Sequence, residues 1–200
     1  MLLSGTETFT AEDLNELSAL VASTWMSAAD GDWSAPAGTL EWSCLATADH
    51  AVDCVYAPAF FLASRLTTGY PVAGSNLMLG DAATRELLVE SLAIATRMVT
   101  AVVAAAEPGA TAAIFGGRTV LIGSPPDFLP RAAMELILHA HDVCAGLGVE
   151  FEPPAPLCHR LREHTRPWPM WKAAWSGLPE TDDPWGDLLA GSGRSRVHTS

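Results

Sequence analysis

The segment MELILHAHDV (Met134–Val143) sets four polar groups, Glu135, His139, His141 and Asp142, among apolar residues that suit a buried helix. A helix turns about 100° per residue, so Glu135 and His139 lie one turn apart and point the same way. Asp142 falls in the same sector on the other side of Glu135, whereas His141 points elsewhere, toward solvent or a neighbouring loop. A carboxylate and an imidazole spaced i, i+4 can hold a divalent ion when another helix brings a third ligand. His50, in the largely apolar stretch TADHAVDC, is the candidate for that third group. Two histidines and a glutamate leave positions open, the pattern of a catalytic zinc site completed by water or a substrate sulfur. Cys54 stands one turn beyond His50; His159, His164 and His198 lie in a polar, proline-rich tail and suit a ligand role less well. Each feature also has a plainer reading. An E-x-x-x-H pair is common on helix surfaces, and a lone mid-helix histidine is usually a satisfied core residue.

The elements that must hold these groups follow from capping and periodicity. Thr10, then acidic residues, then Leu14, Leu17, Leu20, Val21 and Trp25 predict a first helix. GDWSAPAGTLEW breaks it, and Ser43 caps a second helix from about Cys44 to Leu66, with Leu45, Ala48, Val52 and Val55 on one face. After the loop TTGYPVAGSN, Asp81 opens a third helix to about Glu107, striped by Leu88, Leu92, Ala95, Val99 and Val102. Residues from about Thr111 to Ile122 read either as a short hairpin or as an irregular loop. DFLPRAAMELILHAHDVCAGLG predicts a fourth helix capped near Asp127 and stopped at Gly146 or Gly148. Prolines and tryptophans then give a broken tail with one short helix in DDPWGDLLAGSG. The expected fold is all-α: a four-helix bundle over residues 1–150 carrying the metal ligands, and an irregular appendage over 151–200 packed on it.

Composition narrows the function. A net charge of −12, from 11 basic and 23 acidic residues, argues against nucleic-acid binding, which needs a cationic surface. The N-terminus lacks a basic n-region, and MVTAVVAAA is too short to span a bilayer, so no membrane association and a cytoplasmic location are expected. Cys44, Cys54, Cys144 and Cys158 show no CxxC spacing and read as reduced thiols.

The stretch GDWSAPAGTLEWSCLATADHAVD resembles the first-loop and second-helix signature of the DinB-like, mycothiol-dependent maleylpyruvate isomerase N-terminal family. That signature has a tryptophan before a Pro-containing loop, a second tryptophan with Ser or Thr, then a helix carrying a His. MELILHAHDVCAGLG is similar to the family's fourth-helix motif, and DPWGDLLAGSGR looks like the C-terminal segment of many members. The three matches, in order, touch nearly the whole chain. The resemblance implies a four-helix bundle with His50, Glu135 and His139 as ligands of a divalent metal, most often zinc. It also implies a small thiol such as mycothiol as cosubstrate. The isomerases that name the family carry a further C-terminal domain for which 200 residues leave no room. The expected activity is therefore the broader one, a metal- and thiol-dependent S-transferase or isomerase acting on a small electrophilic metabolite.

Coordination to a dication deprotonates a thiol whose free pKa is about 8.5, giving the nucleophile. Asp142 would orient His139 or assist proton transfer, or serve structure alone. Arg118, in the loop before the ligand helix, would pair with an anionic substrate or thiol, although a surface role is commoner for arginine. Two other classes stay open: a hydrolase using metal-bound water, and a non-catalytic regulatory protein with a structural metal. Structural zinc sites usually saturate four protein ligands, and only three good ones are visible here. The sequence leaves the oligomeric state open.

Overall fold

A computed structural model describes residues 8–71, 77–115, 120–168 and 181–195. They are mostly helical: α1 (Ala11–Ser27), α2 (Cys44–Ser64), α3 (Arg85–Ala105), α4 (Phe128–Leu147), α5 (Ala155–Thr165) and α6 (Pro184–Gly191). One short hairpin joins them, β1 (Ala112–Phe115) antiparallel to β2 (Leu121–Gly123), with Ala112 opposite Gly123. Of the two readings left open for that stretch, the hairpin is the one adopted.

Local chemistry sets the helix starts. The Thr10 hydroxyl accepts from the Asp13 N–H while the Asp13 carboxylate accepts from the Thr10 N–H, a reciprocal cap for α1. Ser43 Oγ accepts from the Ala46 N–H and starts α2. Two boundaries differ from expectation. α2 ends at Ser64 rather than Leu66, because Arg65 takes a left-handed conformation (φ 56°). α3 opens at Arg85 rather than Asp81. Its cap is Thr84, whose hydroxyl accepts from the Leu87 N–H, while Gly80–Ala82 forms a separate 3-10 turn. That turn is pinned by Asp49 of α2, which accepts from the backbone N–H groups of Leu79 and Gly80 at 2.9 and 2.8 Å.

α2 packs on α4 and α3, and α1 packs on α3 and α4, so the four long helices enclose one core. The tail is more regular than expected. Pro154 and Pro156 stand at the start of α5, where a missing N–H costs nothing, and Leu157, Cys158 and Leu161 are buried. Trp168 and Trp185 are buried in the same core. His164, far from being a loose tail residue, donates from Nε2 to Asp127 Oδ1 (3.0 Å) and accepts from the Phe9 N–H. α5 is thereby tied to both the entry of α4 and the entry of α1. α3 is long and apolar enough to cross a membrane by length and composition, with a mean hydropathy of 1.8 over an 18-residue window of which 28% is buried.

A second tie joins α5 to α1. Arg160 binds both carboxylate oxygens of the buried Asp13. Burial pushes the Asp13 carboxyl up, but the bonds from Arg160 and Thr10 outweigh it and hold the group below the usual carboxylate range. A depressed folded pKa means that the stabilisation is present above the unfolded value, about 3.9, and is lost as pH falls through the folded one. Asp13→Asn is expected to cost about 1–2 kcal/mol at pH 7. The gap in urea midpoint between variant and wild type should close as the pH drops below about 4; a gap constant from pH 7 to 3 would refute the assignment.

Candidate functional site

α4 presents two faces. Leu136, Ile137, Ala140, Val143 and Cys144 are buried in the core, and the remaining stripe runs Arg131, Glu135, His139, each one turn from the last. The neighbouring α2 brings His50 to this stripe. The His50 and His139 rings meet edge to face at 5.1 Å between centroids, and Trp42, half-exposed in the loop before α2, lies edge-on to His50 at 5.3 Å.

A chain of polar contacts orients the cluster. His139 Nε2 faces Glu135 Oε2 at 3.6 Å, and His139 Nδ1 lies 3.3 Å from Asp142 Oδ2. Asp142 is in turn clamped by Arg194, which donates from Nε to Oδ1 (2.8 Å) and from its terminal nitrogen to Oδ2 (2.7 Å). A carboxylate on one imidazole nitrogen holds the ring's tautomer and leaves the other nitrogen free to accept. Glu135 Oε1 accepts from Arg131 at 2.7 Å, and the Arg131 guanidinium lies 4.8 Å over the Phe115 ring. Cys54 Sγ lies 3.4 Å from His50 Nε2.

The charge states suit ligation. Burial, reinforced by the nearby His139, lowers the His50 pKa and keeps the imidazole neutral, against the smaller pull of Glu135 and Asp53. Burial pushes Glu135 up, but Arg131, His139 and His50 outweigh it, so the side chain stays a carboxylate. Asp142 behaves alike: burial raises it, and Arg194 and His139 bring it below the usual range. Burial raises the Cys54 thiol far above its ordinary value, so that group is a neutral S–H donor. A neutral imidazole from His50 and a carboxylate from Glu135 are donors that a divalent ion takes from protein. As the side chains stand, no three of the described His, Cys, Asp or Glu residues close around one ion position. The reason is visible in the contacts: Glu135 is turned to Arg131 and His50 to Cys54. Donor chemistry fits the ion, then, while the present placement is the hydrogen-bonded one.

The structure thus brings His50, Glu135, His139 and Asp142 together. Arg118 lies outside the described residues. His141 faces neither solvent nor the cluster. It is buried, donates from Nε2 to the Ser195 carbonyl (3.1 Å) and meets the Trp185 ring edge at 5.6 Å, because the chain after α6 folds back over it. Two arginines that the spacing argument did not select belong to the site. Arg131 has a sequence signal, an R-x-x-x-E-x-x-x-H stripe on one helix face; Arg194 has none, being 52 residues from its partner.

Comparison of the chain with protein-family models, with curated proteins and with solved structures gives no match. The class that fold and site define is a mostly helical protein with a half-buried His–Glu–Arg–Asp cluster between two long helices.

Proposed function

We propose that the protein is a metal- and thiol-dependent S-transferase or isomerase acting on a small electrophile, with a DinB-like four-helix bundle as its scaffold. The observation that carries this reading is the meeting of His50 from α2 with Glu135 and His139 from α4, His139 being oriented by an Arg194-clamped Asp142. His50, Glu135 and His139 would hold one divalent ion, zinc by donor preference. Such an ion, when bound, supplies the acidity that turns a low-molecular-weight thiol such as mycothiol into a nucleophilic thiolate.

The protein's own residues do the rest. Asp142 orients the His139 ring through Nδ1, which would leave Nε2 as the nitrogen to hold the ion. Glu135 brings the negative charge, with Arg131 sharing it from the far oxygen. Trp42 covers the outer edge of His50 and offers an aromatic surface to the apolar part of a substrate. Asp142 therefore acts as a positioning residue.

Metal analysis of the purified protein followed by turnover assays tests the reading. One equivalent of divalent metal should be retained, and His50→Ala or His139→Ala should weaken retention at least about 100-fold, since even outer-shell changes cost 10–100-fold. His141→Ala, which alters a contact to the tail, should leave retention nearly unchanged. Turnover should require both metal and thiol. Full activity in thiol-free buffer with metal present would instead make the protein a hydrolase.

A further inference from the structure

The outer face of α3 carries exposed apolar residues from one end to the other, with Glu90 and Arg97 set among them. Leu87, Ile94 and Met98 are exposed by 42%, 40% and 39%, and Ala93, Ala101, Ala104 and Ala105 extend the same face. A single exposed Leu or Ile is ordinary, but a continuous stripe on one helix marks a contact surface. The residues Leu87, Glu90, Ile94, Arg97 and Ala101 follow one another at alternating spacings of three and four, the seam of a helix that packs on another helix.

Two features say what covers it. Glu90 and Arg97 are the charged residues within the seam, and neither has an ion-pair partner among the described residues. They stand seven residues apart, about 10 Å along the axis, too far to reach each other. Set α3 against itself in antiparallel fashion and each meets the other: Glu90 of one copy lies level with Arg97 of its mate. Bulk is self-complementary too, because Leu87 near the helix start falls opposite Thr100, beside the small Ala101, near its end. Parallel pairing would place like charges level. A shallow groove between α1 and α3, lined by Ala22, Val89 and Ala93 together with the polar Asn15, Ser18 and Arg97, borders the seam.

We infer that the outer face of α3 pairs with the same face of a second copy of this chain, antiparallel, about a twofold axis passing between Ala93 and Ile94. An isologous contact of this kind closes on itself, as twofold dimers do. A lipid surface fits the same stripe less well. It would bury Glu90 and Arg97 unpaired. One helix pair is small beside the roughly 800 Å² per partner of standard interfaces, which is the size class of weak, reversible contacts.

Sedimentation equilibrium from about 1 to 200 μM tests this, with circular dichroism to establish that each variant is folded. The wild type should pass from 21.1 kDa to twice that mass across the series. Glu90→Arg and Arg97→Glu each set like charges together twice, once on either side of the axis, and should raise the dissociation constant at least about tenfold. The double variant E90R/R97E rebuilds both pairs in reverse and should return to within a few-fold of wild type. Ile94→Asp should leave only monomer. A wild type that stays monomeric throughout would overturn the inference. So would a dimer indifferent to Ile94→Asp, or a double variant no better than the singles. Monomer that cosediments with phosphatidylcholine vesicles, with or without phosphatidylglycerol, would assign the face to membrane instead.

Discussion

Glu135→Ala is expected to destabilise the protein by about 3 kcal/mol as well as to abolish metal retention. The stability loss comes from Arg131. Its side chain is only 13% exposed, its Nε is buried without a hydrogen-bond partner, and its charge is met by Glu135 at 2.7 Å. Burial alone would lower the arginine's pKa; Glu135, the largest of the opposing influences, and with it Cys54 and Tyr70, more than restore it. Removing one partner of a buried pair leaves an uncompensated charge, which typically costs about 3–5 kcal/mol; partial exposure puts this pair at the lower end. Replacing both partners by apolar residues is far cheaper. Arg131→Met combined with Glu135→Leu should therefore regain most of the lost stability in a urea titration yet still bind no metal. Glu135→Gln, which keeps an acceptor for Arg131, should cost about 1 kcal/mol while losing the anionic donor. An unchanged urea midpoint in Glu135→Ala would show that Arg131 does not depend on this glutamate.

Gly146→Ala is the second large effect, and its sign runs against helix propensity. Inside a helix alanine is favoured over glycine by about 1 kcal/mol, and Gly146 lies within α4. Here a Cβ would collide with the Pro36 carbonyl oxygen and with Cys44 Sγ, and would sit 3.0 Å from Ala37 Cα. Two of those three atoms are backbone, so relief requires moving the loop that leads into α2. A loss of about 2–4 kcal/mol is expected, seen as a lowered thermal midpoint. The close approach also sets where α2 begins against α4, and His50 stands on α2 less than two turns from Cys44. Loss of metal retention should accompany the loss of stability. Gly148→Ala makes a useful contrast. That residue caps α4 at φ 67° with open space around it, so its cost is conformational strain alone, about 1 kcal/mol. A Gly146→Ala variant more stable than wild type would mean that the loop and α4 are further apart than described.

Much of the architecture was legible in the order of residues, because it rests on interactions between near neighbours. Thr10 and Ser43 announce helix starts since their hydroxyls reach N–H groups three residues on. Glu135, His139 and Asp142 share a sector because a helix repeats every 3.6 residues, and Arg131 belongs to the same face by the same rule. α5 was hidden because its prolines look like breakers until one asks whether they occupy the first turn. What spacing alone does not carry is which distant group answers each polar side chain. Asp142 could have faced solvent; only the return of the chain after α6 sets Arg194 on it. Glu135 could have stood free beside His139; only the hairpin, which lays Phe115 over the Arg131 guanidinium, helps hold that arginine in place to bind it. His50 is a lone histidine in sequence and becomes one of a pair only because α2 packs on α4. Helix faces follow from local geometry, whereas the partners of buried charges are chosen by packing over long separations, where desolvation leaves an unpaired group too costly to keep.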